Sequence, residues 1–300
     1  MQKQELKSNM LLMLTAAIWG FAFVAQRVGA QYIGAFTFGG IRFALGSISM
    51  IPLLLYFRSK ASGKETESTD KAEVLKSGVI AGSILFVAAA LQQLGLSYTT
   101  AGKAAFITGL YIVLVPLLGI FLKQHIRLST WSGVVLAVIG LYFLSVNEDL
   151  SIAKGDLFVI VGAFFWAFHI LVIDNFVKKV DPFKFSFVQF VTCSILSLTA
   201  AFIFEDVNLE GISKAAIPLL YGGILSAGVA YTLQALGQKH AKPSHAAIIL
   251  SMETVFAAIG GTLLLGENLG ARAYLGCALM FAGMLVAQLQ SFGKSKEAAE

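Results

Sequence analysis

Two ionisable residues lie deep inside apolar runs of this sequence and are its first candidates for chemistry. Glu253 stands in the run AAIILSMETVFAAIGGTLLLGE, with seven uncharged residues before it and thirteen after it. Arg42 lies in a second run, QYIGAFTFGGIRFALGSISMIPLLLYF. A charged group at the centre of a bilayer costs about 2.5–3.5 kcal/mol on insertion scales, so such residues persist when they are paired, hydrated or useful.

Three roles for the Glu253 carboxyl follow from its position. It could exchange a proton, because loss of hydration favours the neutral acid and lets protonation compete with substrate occupancy. It could instead form a fixed ion pair with Arg42, or a hydrogen bond that locks two helices together. A third role is direct contact with a cationic substrate. The sequence leaves these alternatives open.

The composition requires a membrane around these residues. Of the 300 residues, 57% are hydrophobic and only 13% are charged, whereas soluble domains contain about 25% charged residues. Apolar runs of about 20 residues, long enough to cross a hydrocarbon core as a helix, recur along the whole chain. We predict an all-α integral membrane protein with ten transmembrane helices, over residues 9–28, 33–57, 76–98, 101–122, 128–146, 156–177, 183–204, 215–236, 243–265 and 273–289.

The distribution of basic residues predicts the orientation. Of the 22 Lys and Arg residues, sixteen fall on the side of the N-terminus, five fall on the opposite side, and Arg42 lies within a span. Because cytoplasmic loops carry the excess of basic residues, we expect a cytoplasmic-membrane protein with both termini in the cytoplasm. The scattered basic residues form no patch for nucleic acid. Cys193 and Cys277 have no His or acidic residue at metal-ligand spacing, so neither a disulfide nor a metal site is predicted.

Comparison of the chain with itself shows an internal repeat. LQQLG at 91–95 matches LQALG at 233–237 with an offset of 142 residues, and Trp19 matches Trp166 with an offset of 147. A copy of five spans is odd in number, so the second copy enters the membrane from the opposite side. Two inverted five-helix repeats, with a substrate site near the midplane between them, are the architecture of many secondary transporters.

The offsets also show which candidates are duplicated. Tyr111 falls opposite Glu253, so the two halves supply no matched pair of carboxylates, and any proton site is single. Arg42 falls opposite Gln189. A cross-repeat pair between Arg42 and Glu253 would therefore neutralise both charges.

Aromatic and amide side chains near the middle of the spans are further ligand candidates. The equivalent residues Trp19 and Trp166 could form aromatic walls of a cavity, or they could pack helices together. Gln92 and Gln234, also equivalent, could bind a ligand or hydrogen-bond neighbouring helices, as polar residues in lipid often do.

Two more ionisable groups lie in the sixth span. His169 could relay protons, or it could hydrogen-bond a neighbouring carbonyl. Asp174 precedes Lys178 by four residues, which predicts a local ion pair on one face of the helix.

The sequence resembles the drug/metabolite transporter superfamily, in particular proteins with two EamA repeats. The similar features are AAIWGFAFV at 16–24, the pair Arg42–Phe43 and METVFAAIGGTLLLGE at 252–267. The resemblance implies a bacterial cytoplasmic-membrane carrier that moves metabolites, amino acids or drug-like compounds, usually outward. We predict one EamA-like repeat over residues 1–146 with a polar loop at 58–76, a second over 155–290, and a cytoplasmic tail at 291–300.

No motif of a hydrolase, zinc protease or nucleotide-binding enzyme occurs in the sequence, and the longest loop is too short for a nucleotide-binding domain. We therefore predict a secondary transporter that needs no cofactor, works by alternating access as an exporter or exchanger, and has protons as one candidate coupling ion. The alternative is an uncoupled uniporter or importer, and a membrane sensor or scaffold is a more distant one. The expected partners are a small-molecule substrate and the lipid bilayer; the sequence does not indicate the oligomeric state.

Overall fold

Helices form nearly all of the chain that the structure describes. The computed structural model describes residues 2–61, 70–123, 126, 128–145, 154–266 and 270–297. The helices are α1 Gln2–Gly29, α2 Ala35–Ala61, α3 Lys71–Leu96, α4 Ala101–Gly109, α5 Tyr111–Phe121, α6 Leu128–Ser145, α7 Lys154–Phe176, α8 Pro182–Phe204, α9 Leu209–Lys214, α10 Ala216–Leu220, a π-helix Tyr221–Tyr231, α11 Thr232–Gln238, α12 Pro243–Leu250, α13 Glu253–Leu265 and α14 Ala271–Glu297.

The length and hydropathy of these helices confirm the predicted all-α membrane protein. Eight helical segments are long and apolar enough to cross a bilayer, and two shorter apolar stretches, Leu128–Phe143 and Tyr274–Val286, lie in α6 and α14. Large apolar side chains cover the outside, with Phe121 84% and Ile217 81% exposed, as a surface in contact with lipid requires. With ten crossings, α1 begins and α14 ends on the same side, called the terminal end here; the opposite side is the distal end.

The packing of the helices follows the predicted inverted repeat. α6 and α14, the fifth spans of the two copies, pack against each other, and α2 packs against its equivalent α8. A Cβ atom on Gly140 would lie 2.6 Å from the Gly276 carbonyl oxygen, and one on Gly283 would lie 2.6 Å from that of Gly133. These two contacts are equivalent at an offset of 143, so the crossing of α6 and α14 is symmetric and depends on close backbone approach.

A second symmetric contact joins the first span of each copy to the third span of the other. Gly95 of α3 makes room for Val159 of α7, and Gly237 of α11 makes room for Leu12 of α1. Gly95 and Gly237 are equivalent positions, as are Leu12 and Val159. The two repeats are therefore interlocked, and a space between them is lined by both.

Several helices extend beyond the predicted spans. α1 begins at Gln2, and α2 and α3 occupy both ends of the predicted loop 58–76, of which residues 62–69 lie outside the described part. The predicted tail at 291–300 is helical through Glu297, and its last three residues are also outside the description. Hydropathy marks only the stretch of helix that lies in lipid, whereas backbone hydrogen bonding continues through polar turns.

Three of the predicted spans are interrupted near their centres. The fourth consists of α4 and α5, the ninth of α12 and α13, and the eighth of α10, the π-helix and α11. The breaks in the fourth and ninth spans fall at Leu110 and Met252, which are equivalent at the offset of 142. Because Tyr111 and Glu253 follow these breaks directly, the interruptions position the candidate site.

One charged contact across the repeats was not predicted. Glu205, directly after α8, accepts hydrogen bonds from the Phe36 amide at 2.8 Å and from the Thr37 amide at 2.8 Å and hydroxyl at 2.7 Å. The amides belong to the first turn of α2, whose unpaired N–H groups favour a negative charge. Glu205 of the second repeat thus caps a helix of the first.

Candidate functional site

A cavity lies between the two repeats and contains most of the predicted site residues. Every residue that lines it is at most 9% exposed, so the cavity is closed to solvent in this conformation. The lining consists of Trp19, Phe23, Gln26, Arg42, Gln92, Thr108, Tyr111, Trp166, Ile170, Ser226, Tyr231, Gln234 and Glu253.

Two sets of buried residues at equivalent positions of the two repeats, each with one member that lines the cavity, are called the plugs here. The distal plug is an apolar cluster contributed by both repeats and consists of Phe23, Leu96, Ala101, Ala104, Ala105, Ile107, Val159 and Ala257. The terminal plug consists of the repeat equivalents, which are also buried, namely Ile170, Gln238, Pro243, Ala246, Ala247, Ile249, Leu12 and Val115. The closed state is therefore closed at both ends by corresponding residues.

Three aromatic rings form one wall of the cavity. The ring centroids of Trp19 and Trp166 lie 6.3 Å apart. Tyr231 lies beside both rings, 4.6 Å from Trp19 and 6.2 Å from Trp166, and is stacked on Trp166 with an interplanar angle of 23°. The structure thus brings the two predicted tryptophans together, with a tyrosine that the sequence reasoning missed.

Tyr231 is placed by the π-helix, which it ends. The wider turns of a π-helix weaken its internal hydrogen bonding and leave carbonyls for other donors. The Trp19 indole donates to the Ser226 carbonyl at 3.2 Å, and the Thr15 hydroxyl donates to the Ala230 carbonyl at 3.1 Å. The equivalent part of α3 is α-helical and has Ala89 at the position of Tyr231, so this wall is asymmetric.

Tyr111 and Glu253 occupy equivalent positions at the start of two half-helices, α5 and α13. At both breaks the backbone hydrogen bond spans three residues instead of four. The Leu110 amide donates to the Ile107 carbonyl at 3.1 Å, and the Met252 amide donates to the Ile249 carbonyl at 3.1 Å. Half-helix N-termini at mid-membrane carry partial positive charge and occur at the ligand sites of other transporters.

The predicted ion pair between Arg42 and Glu253 is wrong for this conformation. Both residues line the cavity, but no nitrogen-to-oxygen distance within 4.0 Å joins them. The Arg42 guanidinium carbon lies 4.6 Å from the centre of the Phe43 ring, a cation–π contact, and the group interacts with the Tyr231 hydroxyl. The Tyr111 hydroxyl lies near the Glu253 carboxyl but makes no hydrogen bond among the described residues. The two charged groups therefore have different neighbours in this conformation.

The two glutamines of the equivalent pair differ in their bonding. Gln92 donates to the side-chain oxygen of Gln26 at 3.1 Å and so connects α3 to α1. The Gln234 side-chain oxygen is buried and has no hydrogen-bond partner. A helix-joining contact accounts for Gln92, whereas Gln234 has a free acceptor at the cavity.

His169 lies behind the cavity wall and does not line the cavity. Its Nε2 is 3.2 Å from the side-chain oxygen of Gln189, and its ring meets Trp166 edge-on at 5.9 Å. This is a carbonyl contact of the kind predicted, made by a side chain. In the same helix the predicted pair of Asp174 and Lys178 is confirmed, at 2.6 Å.

Five buried polar atoms around the cavity have no hydrogen-bond partner. Buried polar groups in proteins are nearly always paired, so a group of unpaired ones is typical of a site that binds water or a ligand. The donors are Arg42 Nε, Tyr111 OH and Trp166 Nε1, and the acceptors are Gln234 Oε1 and Glu253 Oε1. The arrangement can accept a small molecule that has both hydrogen-bond acceptors and donors.

Several lining residues were missed by the sequence reasoning. Phe23 and Ile170 were detectable, since each follows a repeated tryptophan by four residues and therefore lies on the same helix face. Gln26 continues that face of α1. Ser226 and Tyr231 follow from the π-helix, for which the closely spaced glycines of the eighth span were the only local signal.

Comparison with known proteins agrees with this architecture. A profile of the EamA-like transporter family matches residues 6–146 and 153–288. An uncharacterized transporter of Archaeoglobus fulgidus is 30% identical over 288 residues, which cover 96% of this chain and 87% of the relative. The uncharacterized transporter YoaV of Bacillus subtilis is 25% identical, covering 90% and 92%. A crystal structure with 16% identity shares the fold, with a TM-score of 0.76 over 94% of this chain and 96% of the other. The chain therefore belongs to the EamA-like transporter family and is a multi-pass membrane transporter.

Proposed function

We propose that the chain is a secondary transporter that moves a small organic solute through the central cavity by alternating access. The observation that carries this proposal is the set of five unpaired polar atoms on a closed, aromatic-walled cavity between inverted repeats. Corresponding plugs at the two ends support it, because inverted repeats can exchange conformations and open one end at a time.

The polar complement of the cavity favours a zwitterionic amino compound as the solute. Arg42, Tyr111 and Trp166 offer donors to an anionic group, while Gln234 and Glu253 offer acceptors to an ammonium group. The rings of Trp19 and Tyr231 suit an apolar or flat side group. Amino acids, one of the classes implied by the family resemblance, have this pattern.

Location and direction are part of the same proposal. The excess of basic residues supports insertion in the cytoplasmic membrane with both termini in the cytoplasm. The transporter would then act as an exporter or exchanger, with residues 1–146 and 155–290 as its two repeats. Uncoupled uniport or import is the alternative, and the pH-gradient measurement below separates proton-coupled from uncoupled transport.

Proton exchange at Glu253 is a second candidate feature, favoured by a specific observation. The carboxyl lies at the cavity, makes no ion pair with Arg42, and has one oxygen without a partner. A carboxyl that is not fixed by an arginine is free to change protonation when the solute enters. Proton and solute would then compete for one site.

The test is counterflow in liposomes that contain the purified protein. Vesicles loaded with an unlabelled zwitterionic amino acid should accumulate the labelled compound from outside with saturation. Arg42→Gln should lower this flux by at least about tenfold, since it removes a charge-assisted contact to the solute. Arg272→Gln is the matched control, because Arg272 contacts Tyr142 and Phe143 away from the cavity.

Two results would overturn the proposal. The first is the absence of saturable flux for every amino acid in a panel of aromatic, aliphatic and polar side chains. The second is an equal loss of flux in the Arg42 and Arg272 variants. An imposed pH gradient that drives accumulation would support proton exchange, and a flux indifferent to the gradient would remove it.

A further inference from the structure

The two ends of the cavity are closed by corresponding plugs, but the residues at their outer edges differ in charge. At the distal end, the Lys103 ammonium lies 2.6 Å from the Asp156 carboxylate, and the Thr99 hydroxyl donates to the same carboxylate at 3.0 Å. The Asp156 side chain is only 3% exposed, against 36% for Lys103. This pair joins α4 of the first repeat to α7 of the second, directly above the distal plug.

The repeat shows what occupies the same positions at the terminal end. Asp156 is equivalent to Asn9 at the offset of 147, and Lys103 is equivalent to His245 at the offset of 142. Asn9 Oδ1 and His245 Nε2 are buried and have no hydrogen-bond partner. Among the described side chains no ion pair within 4.0 Å connects α1 to α12.

The other contacts at the two ends are less asymmetric, because the repeat equivalent of Arg27 is Asp174, which pairs with Lys178 at 2.6 Å. At the distal end, Arg27 donates to the Leu96 carbonyl at 2.8 Å, a second contact made by a charged group. At the terminal end, the Ser8 hydroxyl donates to the Gly237 carbonyl, and Gln4 hydrogen-bonds His240 at 3.2 Å. Hydrogen bonds that involve a charged group are roughly twice as strong as neutral ones. Among the described residues, the difference between the ends is therefore the Lys103–Asp156 pair, which joins the two repeats and has no ion pair at the equivalent positions Asn9 and His245.

We propose that Lys103 and Asp156 form an ionic latch that keeps the distal plug closed, so that the empty carrier opens preferentially at its terminal end. This inference rests on the alternating access proposed above. Opening the distal end separates an ion pair whose carboxylate is 3% exposed, whereas opening the terminal end separates Asn9 and His245, which form no ion pair with each other. Hydration of the separated ions offsets part of this difference in opening free energy. The pair therefore favours opening at the terminal end without preventing opening at the distal end.

The bias has a consequence for the direction of transport. If both termini lie in the cytoplasm, the empty cavity is offered to the cytoplasm. A solute that fills the cavity would then supply the contacts needed to release the distal latch. An exporter requires this order of events.

The test measures the accessibility of two reporter cysteines at equivalent positions of the plugs. Ala104→Cys reports on the distal plug and Ala246→Cys on the terminal plug; both positions are fully buried in the closed state. Each is introduced into a full-length chain in which Cys193 and Cys277 are replaced by alanine. The rate of alkylation by a small maleimide is then measured in detergent, where both ends are reachable.

Lys103→Met is the variant that breaks the latch, and Lys103→Glu combined with Asp156→Lys restores it with exchanged charges. We expect the cysteine at 246 to react faster than that at 104 in the unaltered background. Lys103→Met should raise the rate at 104 by about fivefold and lower the rate at 246, and the charge exchange should reverse both changes. Should the exchanged pair not fold, Asp156→Asn, which copies Asn9, should again raise the rate at 104.

Glu210→Gln is the matched control, because it removes an exposed ion pair with Lys214 on α9, away from the plugs. It should change neither rate. An unchanged rate at 104 in Lys103→Met, or an equal rise at both cysteines, would overturn the latch. Added amino acid that changes both rates, with no effect of Lys103→Met, would remove the latch and leave alternating access standing. Two cysteines that never react under any condition would contradict both proposals.

Discussion

The rings of Trp19 and Tyr231 lie 4.6 Å apart between centroids, although the two residues belong to different repeats. The same Trp19 donates to the Ser226 carbonyl inside the π-helix that ends at Tyr231. The contact therefore joins the cavity wall to the one span whose backbone bonding departs from its repeat equivalent. If a solute binds in this cavity as proposed, its contact with Trp19 would act directly on the eighth span.

Substitution of Tyr231 tests the aromatic wall. Tyr231→Ala removes the ring that contacts both cavity tryptophans and should weaken solute binding by about tenfold. Tyr231→Phe keeps the ring and loses only the hydroxyl beside Arg42, so its effect should be smaller. Quenching of tryptophan fluorescence measures the affinity, since two of the three tryptophans line the cavity. Equal affinities in the two variants would argue against a stacking role.

Glu253→Gln tests whether the Glu253 carboxyl exchanges a proton during transport. The amide is neutral at every pH and similar in shape, so the variant should keep solute exchange but lose the dependence of flux on pH. Tyr111→Phe is the control, because it removes the hydroxyl neighbour and keeps the carboxyl, and its flux should remain dependent on pH. A Gln variant with an unaltered pH profile would assign the profile to another group.

Glu205→Ala tests the cap that the second repeat places on α2. Loss of the carboxylate leaves three donors of the first turn without their acceptor, and the midpoint of thermal unfolding should fall by about 2–4 °C. Glu205→Gln retains one acceptor oxygen and should fall less. Glu210→Ala, at an exposed position of α9, should leave the midpoint unchanged. If Glu205→Ala behaved like that control, the cap would contribute no stability.

Gly140→Ala tests the crossing of α6 and α14. Its Cβ would meet the Gly276 carbonyl oxygen at 2.6 Å, so the helices must separate, and the unfolding midpoint should fall by about 5 °C. Gly283→Ala should cost a similar amount, because it is the symmetric position. Gly102→Ala is the control, since a Cβ there meets nothing within 4 Å. Comparable midpoints for Gly140→Ala and Gly102→Ala would show that the crossing tolerates separation.

The fold followed from the sequence to a large extent. Apolar length predicted the ten spans, and an odd number of spans per copy predicted the inversion that the paired glycines of α6 and α14 display. The sequence also showed that Tyr111 is equivalent to Glu253, but it did not predict the helix breaks that precede the two residues. The predicted features depend on length and order along the chain, which a sequence records directly.

The identity of the side chains that face the cavity depends on how each helix is rotated about its axis, which hydropathy does not indicate. A transmembrane helix is apolar all round, so its sequence shows little of which face meets the cavity. The charges of Arg42 and Glu253 therefore suggested a pair, whereas Arg42 lies over the Phe43 ring and Glu253 lies near Tyr111. The π-helix moved Tyr231 into the wall for the same reason, since it changes the rotation of every residue after it.

The crossing of α6 and α14 has one more consequence. The two helices are equivalent in the repeat. If the two repeats exchange their conformations, the contact between α6 and α14 therefore stays the same. The packing of α2 against α8 shares this property, whereas the contacts between the first span of one repeat and the third span of the other would exchange with each other if the open end changes sides. The glycine-lined crossing of α6 and α14 would then keep its geometry while other helices change their packing around the cavity.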